Sequence, residues 1–188
     1  MLLSRRLLLP MYVAAMVFMA APHLQAQETS VSKKPFARFS ASAQALRDSA
    51  VAKARSQVGT RYKLGGTTPN IALDCSGLVK YVMGALDFIL PRTANEQATV
   101  GQAIPKDLAA MKPGDLLTFG RGKRISHIGI YIGDGKMIHA STSKRQVIET
   151  AVSTRNPLIR QWQGVRRLVT GLDSLRRDSM LAIADTLR

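Results

Sequence analysis

The hydrophobic pattern of this 188-residue chain changes its period near Pro91, and this change constrains the fold more than any other feature. Before Pro91, apolar residues recur at helical spacing over 42–58 and 75–86, and a loop with paired glycines, 60–73, joins the two segments. After Pro91 come short strand-like runs, at 116–119, 127–132, 136–141, 146–150 and 164–169. Helices followed by a meander of strands predict an α+β domain.

The first 26 residues have the pattern of a secretory signal peptide. Arg5 and Arg6 precede an apolar run of 15 residues from Leu7 to Ala21, and the segment ends on the small residue Ala26. The run is shorter than the roughly 20 residues that span a bilayer, which favours cleavage over an uncleaved membrane anchor. Because no cysteine lies near the cleavage region, we predict general secretory export to the periplasm or cell envelope without a lipid anchor or lasting membrane insertion.

The chain is strongly basic, with 27 Lys and Arg against 12 Asp and Glu and a formal net charge of +15. Removing residues 1–26, which carry two arginines and no acidic residue, lowers the charge to +13. An exported basic protein meets anionic cell-wall polymers rather than nucleic acid, so we expect a partner in the envelope. The same charge is also compatible with an ordinary solvated surface.

The remaining chain is divided by composition into three segments. Residues 27–41 are polar and basic and are predicted to form a flexible lead, and residues 42–170 form the folded domain. Residues 171–188 carry an apolar stripe with charged flanks and are predicted to form a terminal helix that packs on its own domain. A partner-binding or membrane-surface helix is the alternative. Nothing in the sequence specifies an oligomer, so a monomer is the default.

A β-hairpin is predicted around the turn at Gly133, Asp134 and Gly135. A three-residue loop at these positions pairs Ile130 with Ile138 and puts the apolar residues of both strands on one side. A two-residue loop would instead mix apolar and polar residues on each face. The hairpin is therefore expected to be half-buried.

The same register brings two histidines together. It places Ile132 opposite Lys136 and Gly129 opposite His139, while His127 shares the face of Gly129. The two histidine backbones are then diagonal neighbours roughly 7–8 Å apart. His127 and His139 are also the two histidines that remain once the predicted signal is removed. A functional pair is favoured over two unrelated surface histidines.

The single cysteine, Cys75, excludes an intramolecular disulfide framework and any multi-cysteine metal site. It lies at the predicted start of a helix behind Asp74, a natural N-cap. The helix dipole and a neighbouring imidazolium are expected to lower its thiol pKa. Cys75, His127 and His139 would then serve as nucleophile, base and orienting residue, with the Cys75 N–H donating to an oxyanion. A buried structural cysteine is the alternative.

Zinc is the competing chemistry, because one cysteine and two histidines can bind it. The chain has no closely spaced ligand pair and no deaminase signature. We therefore predict neither a metal nor another cofactor.

Several segments resemble the NlpC/P60 family of papain-like cysteine peptidases, in particular the single-domain murein endopeptidases of Gram-negative bacteria. The resemblance is collinear over about residues 50–169. It is carried by the segments at 59–66 (GTRYKLGG), 74–79 (DCSGLV), 90–93 (LPRT), 113–116 (PGDL), 127–133 (HIGIYIG) and 138–140 (IHA). Several motifs in the same order are far more specific than any one of them.

The resemblance implies a papain-like fold, with the nucleophile at a helix N-terminus packed on an antiparallel sheet. It implies a triad of the residues already considered, namely Cys75, His127 and His139. It also implies that the hydroxyl of Tyr62 lies near the nucleophile as a substrate or oxyanion contact, although an aromatic packing role is equally compatible with the sequence.

Four further residues match the family motifs. Asp74 is either a helix cap or a substrate contact, Ser76 is a candidate substrate contact, and Arg92 and Gln97 are interpreted as mainly structural. The implied activity is thioester-forming hydrolysis of an amide in peptidoglycan stem peptides or cross-links. Alternatives are an amidase or acyltransferase with the same triad, and a non-catalytic wall-binding protein.

Overall fold

The structure, a computed structural model, describes residues 35–169, with side chains from residue 42. The predicted signal peptide at 1–26, the first part of the predicted lead and the predicted helix at 171–188 lie outside the described residues. Helices precede a curled sheet, which confirms the predicted α+β class. No helix within the described range combines the length and hydropathy that crossing a bilayer requires.

Helix α1, Pro35–Arg55, begins seven residues earlier than predicted. Residues 35–41, which we predicted as part of a flexible lead, are therefore helical. The physical reason is that proline is compatible with the first position of a helix, and no further glycine or proline interrupts the chain before Gly59. The helix ends before the predicted Val58, and Gly59 leaves it with a φ of +91° while donating its N–H to the Val147 carbonyl.

Helix α2, Cys75–Gly84, has the predicted start and a slightly earlier end. Its N-cap is Asp74, as expected, whose side chain accepts a hydrogen bond from the Gly77 N–H. A short helix α3, Ala94–Gln97, was not predicted and is held by a capping box between Thr93 and Glu96. The residues at the two N-termini, Asp74, Cys75, Thr93 and Ala94, line the same cavity.

The segment 60–73 was predicted as a loop, and that prediction was incomplete. It contains three two-residue strands, β1 at Arg61–Tyr62, β2 at Thr67–Thr68 and β3 at Ala72–Leu73. Strand β1 pairs with β3 in parallel, and it pairs in antiparallel fashion with a later strand, β8 at Gln146–Ala151. Two residues are too few to show a period, so such strands exist only through their distant partners.

The later strands form the main sheet and include the predicted ones within a few residues. They are β4 at Gln102–Ile104, β5 at Leu116–Arg121, β6 at Arg124–Gly133, β7 at Lys136–Ser141, β8 at Gln146–Ala151 and β9 at Trp162–Arg167. A 3-10 helix, Pro157–Gln161, precedes β9. The strand order is β2-β3-β1-β8-β7-β6-β5-β9-β4. Strands β5 to β8 form the predicted antiparallel meander.

The β6–β7 hairpin has the predicted central register but a different turn. Ile130 pairs with Ile138 as expected, whereas Lys136 pairs with Gly133 rather than with Ile132. The loop has two residues, Asp134 and Gly135, whose φ values of 51° and 64° are those of a type I′ turn. A bulge between Tyr131 and Gly133 takes up the extra residue. The bulge keeps the apolar residues on one face despite the shorter loop.

The core has two layers, one on each face of the sheet. One layer packs helices α1 and α2 on the strands and includes Leu78, Val82, Ile128, Ile130 and Ile138. The other includes Leu117, Phe119, Met137 and Val165, and is covered in part by Leu158 and Ile159 of the 3-10 helix. Helix α2 is thereby pressed onto strand β6, which carries His127.

Gly77 provides a stability test of this packing. A Cβ at Gly77 would lie 2.1 Å from the Gly66 carbonyl oxygen, so Gly77→Ala forces two backbone segments apart. We expect a loss of about 2 kcal/mol in the free energy of unfolding, measured by chemical denaturation. Gly84→Ala in the same helix is the matched control, because nothing lies within 4 Å of its Cβ position. Equal stability of the two variants would contradict the packing described.

Candidate active site

Asp74 connects the loop before helix α2 to the first turn of that helix. Its Oδ1 accepts from the Gly77 N–H at 2.7 Å, and its Oδ2 accepts from the Gly65 N–H at 2.9 Å. The residue is only 5% exposed. These bonds determine where the next residue, Cys75, leaves the loop and enters the helix.

Arg92 completes the coordination of this carboxylate. Its Nη2 lies 2.6 Å from Asp74 Oδ2, its Nη1 lies 3.1 Å from Oδ1, and Nη1 also donates to Ser76 Oγ at 2.9 Å. Burial works to raise the pKa of Asp74, but the hydrogen bonds from Arg92, Gly77 and Gly65 outweigh it, and the pKa is lowered. Asp74 is therefore an anion whose oxygens are already engaged, which favours the cap role over a substrate contact.

Cys75 is the first residue of α2 and is 8% exposed. Burial raises the pKa of its thiol above the ordinary value, and the Asp74 carboxylate adds to this. Hydrogen bonds from the backbone N–H groups of Ile128, Ser76 and Cys75 itself oppose the shift without reversing it. The expected lowering of the thiol pKa was wrong for the resting protein, because the loss of hydration exceeds the stabilisation that the helix N-terminus offers.

The two histidines are in direct contact. His127 Nε2 and His139 Nδ1 are 2.8 Å apart, and the rings meet edge to face with centroids separated by 4.9 Å. Gly129 leaves room for this, because a Cβ there would come within 3.2 Å of the Cβ of His139. His127 and His139 were expected from the sequence to be diagonal neighbours on one face, and in the structure their side chains are hydrogen-bonded to each other.

Both imidazoles are neutral in the resting protein. Burial lowers the pKa of His127 to about 3, with a further contribution from His139, and burial alone lowers the pKa of His139 to about 4. His139 is 6% exposed, whereas His127 is partly exposed. Burial therefore disfavours the imidazolium that was expected to activate Cys75.

A cavity of about 870 Å³ brings most of the predicted site residues together. Its lining includes Tyr62, Asp74, Cys75, Ser76, Arg92 and His127. Burial raises the pKa of the Tyr62 phenol, and the neighbouring Cys75 and Asp74 raise it further when ionised. His139 does not line this cavity. It lies behind His127 and lines a second one of about 560 Å³, which shares Ser126, His127 and Thr142 with the first.

Some lining residues were missed in the sequence. Asn95, Lys123, Arg124, Ser126 and Thr142 all face the main cavity. The run Arg121-Gly122-Lys123-Arg124 was a usable signal, because consecutive basic residues around a glycine mark an exposed turn.

Gln97 has the structural role predicted for it. It is completely buried, and its side chain donates to the carbonyls of Ser76 and Pro91. Within residues 35–169, no three His, Cys, Asp or Glu side chains converge as a metal would require.

Comparison with known proteins shows the family of the chain. Residues 59–167 match the NlpC/P60 family. Murein DD-endopeptidase MepH of Escherichia coli (strain K12) is 38% identical over 125 residues, covering 64% of this chain and 45% of that protein. The gamma-DL-glutamyl hydrolase of Bacillus subtilis (strain 168) is 42% identical over 103 residues, covering 52% and 24%. The chain thus spans less than half the length of these curated relatives.

Solved structures give the same result. The peptidoglycan hydrolase RipB from Mycobacterium tuberculosis has a TM-score of 0.60 at 28% identity, covering 69% of this chain and 68% of that one. The NlpC/p60 domain of the peptidoglycan hydrolase SagA has a TM-score of 0.56 at 27% identity, covering 65% and 98%. The predicted resemblance and the papain-like α+β fold are confirmed. With more than half of its length matched, the chain belongs to the NlpC/P60 family.

Proposed function

We propose that this protein is an exported cysteine peptidase that hydrolyses an amide bond in peptidoglycan stem peptides or their cross-links. The observation that carries the proposal is the placement of Cys75 and His127 on one cavity, with His139 hydrogen-bonded to His127 from behind. A nucleophile, a base and a residue that orients the base are the groups that acyl transfer requires.

The hydrogen bond between the histidines determines their roles in the reaction. Because Nε2 of His127 is engaged by His139, Nδ1 is the nitrogen left to accept the proton of the Cys75 thiol. When the Nε2–H donates to His139 Nδ1, the Nδ1 of His127 is unprotonated, as a general base must be. His139 is then a positioning residue that selects this tautomer.

The reaction proceeds through a thioester. As the thiol proton passes to His127, the Cys75 sulfur attacks the substrate carbonyl, and the backbone N–H of Cys75 stabilises the oxyanion. The C–N bond breaks as His127 returns the proton to the leaving amine. Water, deprotonated by His127, then attacks the thioester carbonyl. The C–S bond breaks, His127 returns the proton to the Cys75 sulfur, and a carboxylic acid is released. The neutral resting pair favours proton transfer during attack over a preformed thiolate.

Two other residues are proposed to contact the substrate. Tyr62 faces the cavity near Cys75, so its hydroxyl is a donor for the substrate or the oxyanion. Ser76 also lines the cavity, and its hydroxyl is held by a hydrogen bond to Asp74 and another from Arg92.

The substrate class and the location follow from different observations. Relatives named as a murein DD-endopeptidase and a peptidoglycan hydrolase support peptidoglycan as the polymer. A basic chain suits stem peptides, which are rich in carboxylates, and the segment 1–26 supports export to the envelope. An amidase or acyltransferase would use the same triad and differ in its product, whereas a wall-binding protein would release none.

Alkylation offers a direct test, because the chain has a single cysteine. Protein lacking the predicted signal is incubated with intact sacculi before and after treatment with iodoacetamide, and released muropeptides are identified by mass. We expect untreated protein to release peptides and protein with one adduct to release none. The product masses identify the bond. No release by untreated protein, or undiminished release after alkylation, would refute the proposal.

A further inference from the structure

The main cavity carries an uncompensated positive charge. Its ionised lining consists of one carboxylate, Asp74, and three cations, Arg92, Lys123 and Arg124. Arg92 is paired with Asp74, so these two charges cancel. Among the described residues, Lys123 and Arg124 belong to no ion pair. A net charge of +2 therefore comes from two side chains that are neighbours in the sequence and line the same cavity.

The β5–β6 hairpin places these two cations. Gly122, with a φ of +56°, and Lys123 form its turn, and Arg121 pairs with Arg124 across it. The strands approach closely at Gly120, where a Cβ would lie 1.9 Å from the Arg124 carbonyl oxygen. The register also shifts between Phe119 and Gly120. Such a bulge bends a hairpin and re-aims the side chains beyond it.

A second contact holds the hairpin over the cavity. The side-chain oxygen of Asn95, in helix α3, accepts a hydrogen bond from the Ile125 N–H at 3.0 Å. Asn95 itself lines the cavity beside Lys123 and Arg124. The tip is thus anchored to the same helix–loop region that holds Arg92, rather than extending freely into solvent.

From this geometry we propose that Lys123 and Arg124 bind a free carboxylate of the substrate peptide, close to the amide that is cleaved. The proposal rests on the proposed function and specifies its substrate as an acidic peptide rather than an amidated one. An arginine guanidinium can hold a carboxylate through two parallel hydrogen bonds, and a lysine adds a mobile point charge. Both residues are solvent-exposed. A carboxylate can therefore reach their charged groups without displacing other parts of the protein.

Binding to the full chain with Cys75→Ala tests this without turnover. The probes are soluble muropeptides and the same muropeptides whose carboxylates have been converted to primary amides. We expect the free acids to bind about tenfold more tightly than the amides, with Lys123→Gln or Arg124→Gln each lowering that ratio about threefold. The preference should also shrink as ionic strength rises.

Arg121→Gln is the matched control, since it removes one charge from the same hairpin at a residue that does not line the cavity. It should keep the ratio of the parent protein. Lys123→Arg and thermal melting separate loss of charge from loss of structure. Equal binding of acid and amide, or no binding of either, overturns the proposal. The proposal is also overturned if Arg121→Gln lowers the ratio of acid to amide affinity as much as Lys123→Gln or Arg124→Gln does. Failure of the proposed function appears separately, as absence of products from sacculi.

Discussion

Replacing Cys75 with alanine should lower kcat/KM for muropeptide hydrolysis by roughly 10⁴-fold or more, because removing the nucleophile of a triad leaves only binding and oxyanion stabilisation. No other thiol in the chain can replace it, since Cys75 is the single cysteine. His127 would then have no thiol from which to accept a proton. Initial rates of product release, with substrate well below KM, measure the effect.

The fold should survive this substitution. Cys75 is 8% exposed and packs in the layer beneath α2, so losing its sulfur costs about 1 kcal/mol in the free energy of unfolding. Thermal melting and retained binding of muropeptides distinguish a lost nucleophile from a lost structure. A folded, binding-competent alanine variant that still cleaves at the parental rate would exclude Cys75 as the nucleophile.

Acidification from pH 7 to pH 5 should destabilise the folded protein by about 2 kcal/mol through His139. Its pKa is about 4 in the folded state, lowered by burial, and rises to about 6.5 on unfolding. Between these values the unfolded chain binds the proton and the folded chain does not, so stability falls as the pH falls. His127, whose pKa burial lowers to about 3, contributes in the same direction.

The variant His139→Asn isolates this effect, because asparagine hydrogen-bonds without titrating. Urea unfolding at several pH values between 7 and 5 should show a loss about 2 kcal/mol smaller for the variant than for the parent protein. Asp74 does not interfere with this test. Because its pKa is lowered in the folded state, its contribution to stability is complete at pH values above the ordinary carboxyl pKa and is lost only at lower pH. The same acid dependence in parent and variant would show that His139 is not held neutral by the fold.

Local patterns were enough to predict several elements. Asp74 before an apolar helical run predicted the cap of α2, and alternation predicted the pairing of Ile130 with Ile138. Both depend on residues close in the chain, whose preferences act without distant partners. The bulge near Ile132 was missed. A three-residue turn pairs Ile130 with Ile138, and a two-residue turn followed by a bulge gives the same pairing, so the apolar pattern does not distinguish the two.

The positions of the charged residues that line the site depend on contacts between distant parts of the chain. Arg92 lies 18 positions after Asp74, and only the packing of the 90–93 segment beside α2 brings its guanidinium to that carboxylate. Likewise, Lys123 and Arg124 face the cavity because a bulge and the bond from Ile125 to Asn95 bend their hairpin. No periodicity in the sequence encodes either contact.

The sequence by itself determined the family motifs, the α+β order of elements and the identity of the candidate triad, because spacing and residue type are local properties. The tertiary structure decided the direction in which the pKa values of that triad shift. Burial raises the pKa of Cys75, opposite to the lowering that helix-dipole reasoning predicted, and lowers those of His127 and His139. Desolvation depends on everything that surrounds a side chain, and only the folded chain supplies those surroundings.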